Sequence, residues 1–248
     1  MCLIVFAWRP DHPTPLVVAA NRDEFYARPS LPLAQWPEAP QVYAGRDLEA
    51  GGTWLGVGAD GRFAALTNIR NPHQPAARRS RGELVARFLT GEMPIADYLA
   101  DVVGRSVEYA GFNLLVGNLH ELWHFNARQT TPTRLEAGVY GLSNAGLDTP
   151  WPKLLKARAA LTEVLDDPRP QALLALLADP QTAPFADLPD TGVGLATESL
   201  LSSVFIVSPT YGTRASTALI VQADGSRWMV ERSFGPYGGH LGEIEVRV

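Results

Sequence analysis

Two short runs near the start of the chain, Cys2–Trp8 (CLIVFAW) and Pro15–Arg22 (PLVVAANR), are apolar until Asn21. A strand with one wet face alternates apolar and polar residues, whereas a strand that is apolar at successive positions has to be covered on both faces. These runs therefore call for a sheet buried on each side. Between them lies RPDHPT, whose Pro10 and Pro13 mark a turn. Gly51–Arg70 (GGTWLGVGADGRFAALTNIR) reads as a further hairpin. Its turn is Gly58–Gly61, where Asp60 and Gly61 tolerate positive φ. The glycines of GGTWLG allow close backbone approach, and Trp54 is a large apolar anchor.

Helical periodicity follows. Ser80 and Glu83 have capping-box spacing ahead of LVARFLTG, and Gly91 supplies a stop. Pro94 precedes the helical PIADYLADVVG. FNLLVGN and LHELWHFN then read as a hairpin, with GVYGLSNA as another strand. Helices resume at WPKLLKARAALTEVL and PQALLALLA, the latter opened by Pro170. Asp179–Leu195 is rich in Pro, Asp and Gly and reads as a loop. SVFIVS, STALIVQ and RWMVERSF read as strands. Strands, then helices, then strands, without an internal repeat or linker, indicate one layered α+β domain over residues 1–248 rather than βαβ alternation.

Hydrophobic residues make up 46% of the 248 residues, enough for a sizeable core. With 21 Lys+Arg against 26 Asp+Glu, the net charge of −5 lacks the basic footprint of a nucleic-acid binder. A single cysteine excludes an internal disulfide and a Cys-rich zinc site. The first apolar run breaks at Arg9-Pro10-Asp11, too soon for a signal peptide or a membrane span, so a soluble cytoplasmic protein is expected. Nothing in the sequence sets the oligomeric state.

HELWH (His120–His124) matches the zinc-protease pattern H-E-x-x-H. That chemistry needs a helix, on which residues four apart share a face. On a strand the two imidazoles would be roughly 13 Å apart, too far for one zinc ion. The hairpin context favours the strand, and no metal is expected.

Cys2 has two readings. It is a small buried hydrophobe in a first strand, or a nucleophile that becomes the chain terminus once Met1 is removed. In the second reading its thiolate attacks an acyl carbon, and its α-amine, with a reference pKa of roughly 7.7–8.0, serves as the base. Such a site needs a carboxylate for the amine, an oxyanion donor and a cation that favours the thiolate. Polar clusters at strand ends offer them: Asn21 to Glu24 (with Arg22 and Asp23), Thr67-Asn68 with Arg70, Ser143-Asn144, and Arg214. Taken singly, each is also an ordinary turn, cap or surface ion pair.

Together these segments resemble the NRDE family, also called the transport and Golgi organization 2 family. The resemblance rests on MCLIVF, ANRDEF, GRDLEAGGTWLGV, LTNIRN, RSRGEL, FNLLVG, YGLSN and TR, in order from Met1 to Arg214. That family is similar to the N-terminal nucleophile (Ntn) hydrolases of the penicillin V acylase and bile salt hydrolase branch. The resemblance implies a four-layer αββα fold, with Cys2 as nucleophile and base and Asp23 holding the α-amine. It implies Asn144 in the oxyanion hole, Asn68 lining the pocket or sharing that role, and Arg214 beside the nucleophile. The acylases carry Arg-x-x-Asp, whereas here Arg22 and Asp23 are adjacent and Ala20 stands three before Asp23. If Asp23 faces the site, Arg22 faces away and is structural, pairing with Glu24 or Asp47.

Two functions follow from the resemblance. One is an amidohydrolase acting on a small C–N amide. The other is a non-catalytic carrier of haem, lipid or acyl-coenzyme A on the same fold, with Arg78, Arg79 and Arg81 available to phosphates or simply solvated. Neither requires a resident cofactor, and the partner in each is a small molecule.

Overall fold

The computed structural model describes residues 2–74 and 77–248. The strands are β1 Cys2–Trp8, β2 Leu16–Phe25, β3 Ser30–Trp36, β4 Ala39–Asp47, β5 Leu55–Val57, β6 Phe63–Asn68, β7 Phe112–Gly117, β8 Leu122–Asn126, β9 Thr133–Arg134, β10 Gly138–Leu142, β11 Tyr211–Val221, β12 Arg227–Phe234 and β13 His240–Arg247. The helices are α1 Gly82–Thr90, α2 Ile95–Arg105, α3 Pro152–Glu163, α4 Pro170–Ala175 and α5 Leu195–Leu200.

The chain forms two compact units: Met1–Ala27 with Arg70–Pro72 and Ala137–Val248, and Arg28–Ile69 with His73–Glu136. Each holds one antiparallel sheet. In the first the order is β10-β1-β2-β11-β12-β13, and in the second β3 to β9 follow one another in sequence.

In the first unit, α3 buries Leu154, Ala157 and Leu161 in one cluster with Leu3, Val5 and Ala7 of β1 and Val17 and Ala19 of β2. Each fully buried leucine contributes roughly 1.5–3 kcal/mol. The alternate residues Ile4, Phe6, Trp8, Leu16 and Val18 are buried as well. The central strands are thus covered on both faces, as their apolar runs require.

In the second unit, α1 buries Leu84, Val85, Phe88 and Leu89. Helix α2 buries Ile95, Tyr98, Leu99 and Val102, the spacing of one helical face. Both pack with Ala64, Leu66, Phe112, Leu114 and Val116 of the sheet. Asp60 and Gly61 turn the β5–β6 hairpin with φ of 53° and 70°. A Cβ on Gly52 would lie 2.3 Å from the Gly82 carbonyl carbon, so only glycine lets these two backbones meet.

Several expectations need correction. The capping box does not form: Ser80 Oγ accepts from the Gly82 amide at 3.3 Å, and Arg81 is the N-cap. Glu83 instead takes the Tyr109 hydroxyl at 2.5 Å and Arg79 at 2.7 Å, because an ion pair is a stronger partner than one amide. SVFIVS is buried only from Ser203 to Ile206 and is not a strand. Its amides bond irregular partners, Phe205 to the Asp179 carbonyl and Ile206 to Thr213 Oγ1. Strands β3, β4 and β13 and helix α5 have no counterpart in the sequence reading.

HELWH is not helical. His120 sits in a turn, and His124 sits in β8 with Nε2 at 3.2 Å from Asn113 Oδ1. Of the basic cluster, Arg79 pairs with Glu83 and Glu108, and Arg81 donates to the Gly111 carbonyl. Among the described residues, no helix is long and apolar enough to cross a membrane.

Candidate active site

Cys2 opens β1, and it lies between β10 and β2 because β1 pairs antiparallel with both. Its Cα partner on β2 is Arg22. Directly opposed residues of an antiparallel pair project to the same face, so the Cys2 thiol and Arg22 share a face and Asp23 takes the other. This differs from the expectation that Arg22 faces away, and the register is the reason. Asp47, one proposed partner for Arg22, is instead held by Arg28 at 2.8 Å. Burial pushes the Cys2 thiol up, while the Arg22 charge and a hydrogen bond from the Asp23 backbone amide act to lower it. Met1 lies outside the described residues, so its removal is not addressed by these contacts.

Asp23 is 1% exposed. Thr213 of β11 is its cross-strand partner and donates its hydroxyl to Asp23 Oδ1 at 2.7 Å. The same Thr213 oxygen accepts the Ile206 amide at 2.9 Å, so the donor is held in place. Tyr211 donates to the Asp23 carbonyl at 3.2 Å. Burial pushes the Asp23 carboxyl up, and the Lys153 charge and the Thr213 hydroxyl oppose it. Burial and the Asp23 charge push the Tyr211 phenol far up, so it stays a donor at neutral pH.

On the other side of β1, the pairing of Ile4 with Leu142 carries Ser143 and Asn144 toward Cys2. Ser143 Oγ donates to the Cys2 carbonyl at 3.1 Å and lies 3.4 Å from Asn144 Oδ1. Asn144 is buried, and its carbonyl accepts the Arg70 amide at 2.8 Å. Arg70 in turn forms a buried ion pair with Glu198 of α5 and stacks 4.6 Å from the Trp151 ring centroid. Glu198 Oε1 also takes the Thr191 amide at 2.8 Å and the Thr191 hydroxyl at 2.5 Å, tying down the loop before α5.

Structure therefore gathers Cys2, Arg22, Asp23 and Asn144 around the head of β1. Arg214 is the extra residue of a bulge, since Thr213 pairs with Asp23 and Ala215 with Arg22. Its Nη1 donates to the Phe25 carbonyl at 3.3 Å. Asn68 ends β6 in the other unit, paired in register with Phe112.

Sequence reasoning passed over Thr213, Tyr211 and Glu198. It also passed over Lys153, which is 3% exposed in the first turn of α3. A signal for Lys153 was present: it stands four residues before Ala157, on the stripe that carries Leu154 and Leu161.

A sequence model of the Transport and Golgi organisation 2 family matches residues 1–236. The Transport and Golgi organization protein 2 homolog of Bos taurus is 38% identical over 94% of this chain and 93% of its own length. The Homo sapiens homolog is also 38% identical, with the same coverage. Among solved structures, the Caenorhabditis elegans N-acylethanolamine-hydrolyzing acid amidase ortholog superposes with a TM-score of 0.52, over 90% of this chain and 96% of that one, at 11% identity. That likeness shows the fold class, the α+β, αββα type of the Ntn hydrolases, and it does not show an activity. On the family match and the identity to its curated relatives, the chain belongs to the Transport and Golgi organisation 2 family.

Proposed function

We propose that this protein is an N-terminal-cysteine amidohydrolase that cleaves a small C–N amide after Met1 is removed. What supports the reading is the setting of Cys2 at the head of β1. The Asp23 amide is on its sulfur, Arg22 is on its face, and Ser143-Asn144 is at its other flank. The thiol proton passes to the freed α-amine, which Asp23 holds, and the thiolate attacks the substrate carbonyl. Asn144 donates to the tetrahedral oxyanion. The α-ammonium returns the proton to the leaving amine, and water then releases the acyl group from sulfur. N-acyl amines are the first substrates to try, by analogy with the name of the nematode amidase.

The test joins mass spectrometry of the native N-terminus with turnover of an N-acyl amine panel. A chain that begins at Cys2 and turns over at least one member is the expected result. A protein that fully retains Met1 and hydrolyses none overturns it. The alternative is a carrier of haem, lipid or acyl-coenzyme A, and the burial that pushes the Cys2 thiol up favours it. Cys2→Ala separates the two, because it abolishes hydrolysis under the first reading and spares ligand binding under the second.

A further inference from the structure

Lys153 lies in the first turn of α3, where the positive end of the helix dipole disfavours a cation. The N-cap, Trp151, makes no side-chain hydrogen bond to the helix, and the first turn holds no acidic residue. Lys153 is nevertheless 3% exposed, and its Nζ has no hydrogen-bond partner among the described residues. Burial lowers its ammonium to about 8, so it stays charged at neutral pH. A buried ammonium without such a partner is costly, and an uncapped helix start leaves amides unmet. One anion relieves both.

Space for that anion adjoins the residue. Pro152 and Lys153 line a cavity of ≈ 200 Å³ and a second one of ≈ 10 Å³, the latter with room for about one water-sized group. Pro152, Ala183, Pro184 and Val204 give the larger cavity apolar walls. The other polar groups on these walls are engaged. Lys156 pairs with Asp179 and donates to Gln181 Oε1 at 3.2 Å. Arg70 pairs with Glu198, which also takes the Thr191 amide. Ser202 Oγ accepts the Ala183 amide at 2.9 Å and donates to the Ser199 carbonyl at 2.7 Å. One buried cation is left on a mostly apolar wall. A phosphate dianion asks for several donors, whereas a carboxylate with an alkyl tail suits one ammonium beside apolar side chains. Pockets for drug-sized ligands run to roughly 300–1,000 Å³, so the tail here is short.

We propose that the larger cavity at the start of α3 binds a short-chain monocarboxylate, with its carboxylate on the Lys153 ammonium and its alkyl tail against Ala183, Pro184 and Val204. This site goes beyond the amidohydrolase reading and needs no turnover.

The experiment is titration calorimetry of the whole chain at neutral pH with acetate, butyrate, butyramide and inorganic phosphate. Butyrate is expected to bind saturably at one site, more tightly than acetate by about fourfold for each added methylene. Butyramide, which has the shape without the charge, is expected not to bind. Lys153→Met should weaken butyrate about tenfold or more, because a charge-assisted hydrogen bond is lost. Ala183→Leu fills the cavity and keeps the ammonium, so it should weaken butyrate as well. It carries the test if circular dichroism shows that Lys153→Met does not fold. Absence of saturable butyrate binding overturns the proposal. So does a folded Lys153→Met protein that binds butyrate within about tenfold of the wild type, or an Ala183→Leu protein that matches it. Acetate, butyramide or phosphate binding at least as tightly as butyrate also overturns it, because the site would then not read a carboxylate with a tail. Butyrate binding through Lys153 in a protein that hydrolyses no amide sinks the hydrolase and leaves this site standing. Hydrolysis without butyrate binding does the reverse.

Discussion

Replacing Glu198 by Gln tests how the ion pair behind Asn144 is held. The Arg70 and Glu198 side chains are 4% and 3% exposed, so the pair is buried and screened little by solvent. Glu198→Gln keeps the shape and the oxygen that serves Thr191, but it leaves the Arg70 guanidinium without its counter-charge. Breaking a buried pair on one side costs about 3–5 kcal/mol. For a chain of this size each kcal/mol is worth about 2–4 °C, so the melting temperature should fall by roughly 6–20 °C. The double variant Arg70→Met/Glu198→Met removes both charges and should recover most of that loss, because two well-packed apolar groups are often as stable as the pair they replace. Calorimetry on Arg70→Met, Glu198→Met and the double variant reads the coupling. The consequence reaches the site, since the Arg70 amide holds the Asn144 carbonyl at 2.8 Å. Amide turnover in Glu198→Gln should therefore fall even at temperatures where the protein is fully folded. A drop in melting temperature below about 2 °C, or single losses that simply add in the double variant, refutes the reasoning.

Thr213→Val removes the donor to Asp23 Oδ1 and the acceptor of the Ile206 amide, for an expected loss of about 2–4 kcal/mol in urea unfolding, whereas Thr213→Ser keeps both bonds. Equal losses in the two variants would show that the hydroxyl is not what matters. Leu161→Ala opens a cavity under the first sheet and should cost about 2–5 kcal/mol. On the same helix, exposed Leu155→Ala should stay within about 0.5 kcal/mol, and the contrast measures the buried stripe of α3. The folded Lys153 ammonium is lowered from 10.5 to about 8, so between these values the unfolded chain binds more protons and Lys153 adds stability as pH rises. That gain, about 3 kcal/mol by linkage, is absent at pH 7 and should be missing altogether in Lys153→Met. Chemical denaturation of both proteins across that window checks it, and parallel stability–pH curves would refute it.

Much of the fold is legible in local patterns. The double-apolar runs of β1 and β2, the Asp60-Gly61 turn and the helical stripes of α1 to α4 each follow from backbone preference and burial within a few residues. Strands β3 and β13 are not legible, because their side chains are mostly exposed or half-buried and leave no run of apolar residues to read. The segment of Val204 to Ile206 misleads for the opposite reason. It is apolar enough for a strand, but Asp179 and Thr213 take its amides.

At the site, the sequence alone determined the candidates: one thiol at position 2, carboxylates after the second apolar run, and an asparagine after GLS. Only the tertiary structure decided which of them meet. The β1–β2 register put Arg22 on the thiol's face and Asp23 on the other, and a bulge turned Arg214 to the Phe25 carbonyl. The packing of α3 on the sheet then buried Lys153 at a cavity whose other walls include Ala183 and Val204. Residue type and spacing set what a side chain can do, but its partners depend on strand register and helix docking. Those are fixed by contacts between segments far apart in the sequence, which no local pattern records.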